Sequence, residues 1–199
     1  MIVQHYSTKL RDIAIIRWIE KGSSVLDLGC GEGELLSALV EEKQVKARGI
    51  EIDEQAIHRC VALGLSVFQQ DIDTGLSEYE DKCFDYVILN QSLQQVKKPD
   101  FVIKEAMRVG KKTIVSLPNF AYYSARLQIF FEGKVPVTPA LPYEWYNTPN
   151  LHFLSILDFI EYCEKRNIRV ERSIFVRKNR EVKLFPNFFA EIGIFLLSK

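Results

Sequence analysis

The stretch Val25-Leu26-Asp27-Leu28-Gly29-Cys30-Gly31-Glu32-Gly33-Glu34-Leu35-Leu36 is an apolar run that breaks into three alternating glycines and resumes as an apolar helical pattern. Glycine at such a turn lets the backbone bend tightly and meet a ligand with no Cβ in the way. The spacing is G-x-G-x-G, not the G-x-G-x-x-G that seats a pyrophosphate on a helix N-terminus. Glu32 and Glu34 would confront a phosphate with two carboxylates, so a cationic, phosphate-free ligand suits the turn better. Eighteen residues beyond Gly33, Glu51 stands in Gly49-Ile50-Glu51-Ile52-Asp53. A carboxylate at the carboxyl end of a second strand can accept bonds from both hydroxyls of a ribose. In Gln70-Asp71-Ile72-Asp73, Asp71 could accept a bond from an adenine amine while Ile72 packs on the ring. These three places describe a pocket for a nucleoside.

The elements that must position them are legible between Ser23 and Ser116, where short β-branched runs alternate with helical patterns, the mark of βαβ units and a largely parallel sheet. Strands are expected at 24–28, 47–51, 66–69, 84–89 and 113–116, and helices at 34–42, 53–63 and 99–109, the last opening on Pro99. Ile13, Ile16, Trp18 and Ile19 predict a further helix ahead of the first strand. All three pocket elements then fall at the C-terminal edge of the sheet, where open α/β sheets place ligands. Past Pro118 the alternation stops. From Asn119 to Asn150 there are four charged residues, and Phe120, Tyr122, Tyr123, Phe130, Phe131, Tyr143, Trp145 and Tyr146 supply the aromatic side chains. Ser155-Ile156-Leu157-Asp158 reads as a capping box opening a helix to about Arg166, and two strands follow near 169–176 and 192–197.

The chain has 199 residues, with 26 Lys plus Arg against 26 Asp plus Glu. That balance argues against nucleic acid and anionic membrane as partners, which are usually met by a basic surplus. With 47% apolar residues the chain can bury a core, and its length suits one domain. Cys30, Cys60, Cys83 and Cys163 form no C-x-x-C pair, so neither a zinc site nor a disulfide framework is suggested, and they read as core packing. Met1 to Leu10 carries no basic-then-apolar leader pattern and no run approaches roughly 18 apolar residues, so a cytoplasmic protein is expected.

Asp27-Leu28-Gly29-Cys30-Gly31-Glu32-Gly33, Glu51 and Gln70-Asp71 resemble the cofactor motifs of class I S-adenosylmethionine (SAM) dependent methyltransferases. The resemblance implies a Rossmann-like α/β fold, with a seven-stranded, mostly parallel sheet, its last strand antiparallel, and helices on both faces. It also implies a site for SAM or S-adenosylhomocysteine. Asp27, Gly29, Gly31 and Gly33 would meet the methionine end, Glu51 the ribose and Asp71 the adenine, with Cys30, Ile52, Ile72 and Asn90 also at the cofactor site.

A narrower resemblance spans most of the chain. Gln70-Asp71-Ile72-Asp73-Thr74-Gly75-Leu76, Leu89-Asn90-Gln91-Ser92-Leu93-Gln94, Arg108-Val109-Gly110-Lys111, Ser116-Leu117-Pro118-Asn119-Phe120 and Leu141-Pro142-Tyr143-Glu144-Trp145-Tyr146-Asn147-Thr148-Pro149-Asn150-Leu151-His152 are similar to the MetW family of methionine-biosynthesis proteins. What it implies is a cytoplasmic protein of one methyltransferase-like domain over 1–199, with an insertion at about 119–150, associated with homoserine O-acyltransferase.

Catalytic candidates are few. Methyl transfer from a sulfonium is a displacement that positioning alone can accelerate, with a base needed only where the acceptor must lose a proton. Gln94 and Gln95 stand where many related enzymes place a histidine, and the Asn-Pro-Pro-Tyr signature of amine-directed enzymes is echoed only distantly by Ser116-Leu117-Pro118-Asn119. His152 is the best base, with fastening of the Asn147 to Asn150 turn as its alternative role. Asn90 and Gln91 are expected to line the pocket or stabilise a turn, His58 to sit on the surface, and Arg177-Lys178-Asn179-Arg180 to cap a solvated hairpin tip. The aromatic segment admits a helix packed on the sheet, a lid over an acceptor pocket, or a protein-contact surface. Two functions stand beside each other: a SAM-sensing or stabilising partner of the acyltransferase, and an active methyltransferase on a small acceptor. Hydride transfer with NAD is disfavoured by the glycine spacing and the flanking glutamates.

Overall fold

The computed structural model describes residues 10–199; the stretch Met1 to Lys9, read above for a leader pattern, lies outside them. Five parallel strands carry the first half of the chain: β1 (Ser24–Leu28), β2 (Lys46–Glu51), β3 (Val67–Gln69), β4 (Phe84–Asn90) and β5 (Gly110–Pro118). The sheet is completed by β6 (Arg169–Arg177), β7 (Arg180–Glu181) and β8 (Ile192–Ser198), in the order β3-β2-β1-β4-β5-β8-β6-β7. The final strand is antiparallel to both neighbours, Pro118 and Val176 each facing Ile192. Among the described residues the sheet has eight strands and not seven. The extra one arises because Lys178 and Asn179 take left-handed conformations (φ 43° and 61°), folding β6 back on itself in a two-residue hairpin.

The central strands are mostly apolar because both faces are covered. Leu26 and Leu28 of β1 point into one core cluster, with Val102, Ile103 and Ala106 of α4 (Pro99–Val109) and Ile156, Phe159 and Cys163 of α6 (Ile156–Lys165). Val25 points the other way, toward Ala14, Ile15 and Ile16 of α1 (Leu10–Trp18) and Leu35 and Leu39 of α2 (Glu34–Lys43). Each fully buried aliphatic chain contributes about 1.5–3 kcal/mol, and this period of two leaves Asp27, on the α1 side, as a carboxylate where packing alone would place a hydrocarbon. Local signals set the helix starts. Asp53 accepts the Ala56 N–H at 2.7 Å ahead of α3 (Glu54–Ala62), and Ser155 and Asp158 close both bonds of the capping box at 3.2 and 2.8 Å.

The charge-poor segment departs from one expectation. It does form a helix, α5 (Tyr123–Leu127), running into a single wide turn over Gln128–Glu132, but the helix is not packed on the sheet at its far end: Phe130 and Phe131 are 80% and 75% exposed. A short helix α7 (Pro186–Phe189), unsignalled in the sequence, leads into β8. Asn119 ties these pieces together. Buried at the end of β5, its amide donates to the carbonyls of Asn187 and Ala190 at 3.0 and 2.8 Å and its oxygen accepts from the N–H groups of Ala121 and Ile156 at 3.1 and 3.4 Å. The echo of a catalytic motif at Ser116–Asn119 is therefore a structural knot. Two smaller readings also change. Arg177 leaves the hairpin tip to donate to the Tyr123 hydroxyl at 2.8 Å and lies 5.0 Å over that ring, and Cys83 is exposed while Cys60 and Cys163 are buried.

Candidate functional site

The chain leaves β1 and returns to it through β4 on the opposite side, so the ends of β1 and β4 part at a topological switch point. The glycine turn fills that gap. Gly31 holds φ 55°, and a Cβ added to it would meet nothing within 4 Å: its face is open for a ligand. Gly33 holds φ 81°, where a Cβ would lie 2.8 Å from Cys60 Sγ, so glycine there permits α2 to close against α3. Two clefts of about 460 and 320 Å³ adjoin at the turn, sharing Gly29, Gly31 and Asn90.

The larger cleft is built from the ends of β2, β3 and β4. Glu51, Ile52, Asp71 and Ile72 all line it, as does Gln91. Glu51 is already engaged by backbone: one oxygen accepts Gly31 N–H at 2.8 Å, the other accepts the N–H groups of Ile52 and Asp53 at 2.7 and 3.0 Å. Asp71 spends one oxygen on the Asp73 N–H at 2.9 Å. Ile72 is half-buried against the core, while Ile52 is 61% exposed at the rim. Asp73, which also lines this cleft, accepts the N–H groups of Lys97 and Lys98, both at 2.8 Å, and thereby pins the loop ahead of α4.

The smaller cleft holds the strongest electrostatic feature. Asp27 is 1% exposed and its Oδ1 has no hydrogen-bond partner. Burial, reinforced by the negative fields of Glu51 and Asp12 and opposed by Arg11, pushes its carboxyl up to about 7. Cys30 beside it, also lining this cleft, has its thiol pushed far above the usual range by burial, so it is a packing group and not a nucleophile. Glu32 and Glu34 stand at the rim, Glu32 paired with Arg59. Arg11 and Asp12 complete the lining, Arg11 Nε donating to Asp12 Oδ1 at 2.7 Å. Sequence reasoning missed these two. They come from the first turn of α1, and nothing local marks them; only the packing of α1 on the sheet beside β1 brings them to the glycine turn.

The turn after β4 carries the remaining candidates. Asn90 lines both clefts and accepts a 2.6 Å bond from the Ser116 hydroxyl. Gln91 takes φ 61°. Its Nε2 is buried without a partner, as are Ser92 Oγ, Gln94 Oε1 and His152 Nε2. Buried polar groups in native proteins are paired with few exceptions, so this concentration beside the clefts distinguishes the turn from the rest of the core. The chain does return here as expected, the N–H groups of Leu151 and His152 both donating to Gln94 O at 2.9 and 3.1 Å, but the His152 ring is not among the groups lining either cleft. The Asn147 to Asn150 turn is held without it, by Asn147 N–H on Glu144 O and Asn150 N–H on Thr148 Oγ1. His58 lies on the surface facing Glu54.

The residues fit SAM on two observations of the site itself: a buried unpaired carboxylate suited to a cation, and a glycine face open where a ligand backbone could pass. In fold, the chain resembles a SAM-dependent methyltransferase from Archaeoglobus fulgidus (TM-score 0.72, 16% identity, 95% of this chain and 91% of that one). It also resembles a possible histamine N-methyltransferase from Thermotoga maritima (TM-score 0.66, 18% identity, 96% and 88%). A relative from Rhodopirellula baltica, the bifunctional methionine biosynthesis protein MetXA/MetW, is 34% identical over 183 residues, which is 87% of this chain and 29% of that protein. The chain thus spans under a third of the length of that relative. Over residues 11–197 the sequence matches the family described as methionine biosynthesis protein MetW, and with that span covered the chain belongs to the MetW family.

Proposed function

We propose that this protein binds SAM across the two adjoining clefts and acts in the cytoplasm with homoserine O-acyltransferase, as a single domain with an insertion at about 119–150. The observation that carries the cofactor reading is the Asp27 carboxylate, buried and unpartnered in an acid-lined cleft beside the open face of Gly31. An uncompensated buried carboxylate is costly unless a cation meets it. Asp27 would hold the ammonium of the methionine end and Arg11 its carboxylate, Glu51 the ribose hydroxyls, and Asp71 the adenine amine, with Ile52 and Ile72 against the ring. Bound there, SAM would supply an electrophilic methyl on a cationic sulfur. The residues of this chain would orient the ligand, with the Gly29 backbone and the Asn90 side chain between its two halves. The partner reading is supported by the fused Rhodopirellula baltica protein, whose name joins MetXA to MetW in one polypeptide.

A second reading, methyl transfer to a small acceptor, is favoured by the unpartnered polar atoms of Gln91, Gln94 and His152, which would take a neutral polar group next to the larger cleft. His152 would serve as base, and Asn90 and Gln91 would position the acceptor. Calorimetric titration of SAM, with the purified acyltransferase present and absent, separates the two. The expected result is SAM binding together with association or a changed acyltransferase rate. If SAM binds and the acyltransferase neither associates nor responds, the partner reading fails and release of S-adenosylhomocysteine becomes the measurement that matters.

A further inference from the structure

We infer that the turn 91–95 is a two-position link tying SAM occupancy of the larger cleft to the order of the segment 142–153, and the inference rests on the cofactor reading above. The turn stands between the two. On one side Gln91, Ser92 and Gln95 line the larger cleft. Ser92 packs so closely on the glycine turn that a Cβ added to Gly29 would lie 2.9 Å from its own. On the other side, the carbonyl of Gln94 accepts the N–H groups of Leu151 and His152 at 2.9 and 3.1 Å. Among the described residues these two are the only backbone bonds that leave 142–153. The segment contains no helix or strand, holds one backbone bond of its own, Asn147 N–H on Glu144 O at 3.2 Å, and exposes Tyr143, Trp145 and Tyr146. Stretches with so few bonds and so little buried surface open locally at low cost, so whatever moves the Gln94 carbonyl moves them.

Two observations give the turn a second arrangement. Gln91 holds φ 61°, a left-handed conformation that a non-glycine residue keeps only while its surroundings enforce it. Here they are its N–H on Ser116 O at 3.1 Å and its carbonyl, which accepts Gln94 Nε2 at 2.7 Å. In addition, Gln91 Nε2, Ser92 Oγ, Gln94 Oε1 and His152 Nε2 are four of the eight buried side-chain polar atoms without a partner among the described residues. The four are chemically complementary: the amide nitrogen donates, the amide oxygen accepts, and the hydroxyl and the imidazole do either. Rearranging these same side chains pairs atoms that the present arrangement leaves bare. A ligand whose polar groups reach Gln91 or Ser92 in the cleft favours one arrangement over the other, and that differential interaction is what shifts a conformational equilibrium. The Gln94 carbonyl passes the change on, so that bound SAM settles the turn and the Leu151 and His152 amides are held more tightly.

The test is amide hydrogen exchange, resolved residue by residue by NMR, without and with saturating SAM, alongside calorimetry of SAM binding. The Leu151 and His152 amides are expected to exchange about 5-fold more slowly or better with SAM bound. The Gly133 and Thr138 amides, bonded within the insertion to Ile129 O and Leu141 O, are expected to keep their rates. SAM that binds without slowing the first pair overturns the link and leaves the cofactor reading intact. Equal slowing of all four amides is general stabilisation by a ligand and overturns the link too, and absence of SAM binding overturns both readings. Linkage fixes a second measurement, because the factor by which SAM slows opening is the factor by which it prefers the tethered segment. Leu151→Pro, which removes one N–H from the Gln94 carbonyl, is expected to bind SAM at least about 2-fold more weakly and at most by that factor. Leu151→Ala keeps the N–H and is expected to bind as wild type does. Unchanged affinity in Leu151→Pro, or an equal loss in Leu151→Ala, would overturn the link; should the proline variant not fold, the wild-type exchange decides alone.

Discussion

The carboxylate of Glu51 accepts the backbone N–H of Gly31 at 2.8 Å, across twenty residues of chain. The side chain expected to read a ribose therefore also clamps the glycine turn to the end of β2, and its second oxygen holds the two amides that begin the following loop. If SAM binds as proposed, its recognition and the shape of the turn would be coupled through this one group. A ligand that adds bonds to this carboxylate finds it already oriented, and the ordering cost was met on folding.

Glu51→Ala is expected to lower SAM affinity about 100-fold or more, since bonds to a charged acceptor are worth roughly 1.5–3 kcal/mol each, and also to lower the melting temperature because three backbone N–H groups lose their acceptor. Glu51→Gln keeps one acceptor oxygen and should recover part of the melting temperature but less of the affinity. Calorimetry and thermal unfolding on both variants measure the two losses separately; unchanged affinity in Glu51→Ala would remove Glu51 from the site.

Asp27 predicts a pH dependence of opposite sign for stability and for binding. The folded protein holds the Asp27 proton up to about pH 7, whereas the unfolded chain releases it near 3.8. Between those values the folded state carries the extra proton, so this contribution to stability is complete below 3.8 and is lost as pH rises through about 7. Asp27→Asn should therefore be more stable than wild type at pH 8, by up to several kcal/mol at about 1.4 kcal/mol per pH unit, with the gap closing toward pH 4. Affinity for a cation runs the other way: in wild type it should climb toward tenfold per unit up to about pH 7 and then level off, and in Asp27→Asn it should be weak and flat. A wild-type affinity independent of pH from 5 to 8 would contradict the placement of a cation at Asp27.

The cofactor side of the fold was readable because its determinants are local. A strand that runs into glycines, an acid at the end of the next strand, and Asp53, Pro99 and Ser155 at helix starts each state their role within a few residues, and the structure places each where its type required. What escaped depends on contacts far apart in sequence. Asn119 reads as part of a motif until Asn187, Ala190 and Ile156 arrive to use all of its bonds. The hairpin tip at Lys178 and Asn179 is legible in the sequence, but the return strand Arg180–Glu181 is too short to show an alternation and the helix at Pro186–Phe189 too short to show a period. Phe130 and Phe131 admit a core, a lid or a contact-surface reading by composition, because hydrophobicity reports only that water is unfavourable, not whether the covering surface belongs to the same chain.

Arg11 offers the sharpest test of how the two clefts divide the ligand. Its guanidinium, with Asp12 at 2.7 Å on Nε, faces the smaller cleft, 17% exposed, while none of the α1 residues lines the larger one. If the methionine carboxylate is held there by a charge-assisted bond, Arg11→Met should weaken SAM about tenfold or more and leave adenosine, which has no amino-acid tail, bound as before. Glu51→Ala should weaken both ligands. Calorimetric titration of the two ligands into the two variants gives four affinities, and only the combination of a selective loss at Arg11 with a shared loss at Glu51 agrees with a nucleoside in one cleft and a zwitterion in the other. A parallel loss of adenosine in Arg11→Met would mean that α1 shapes the whole site, and the division between the clefts would have to be abandoned.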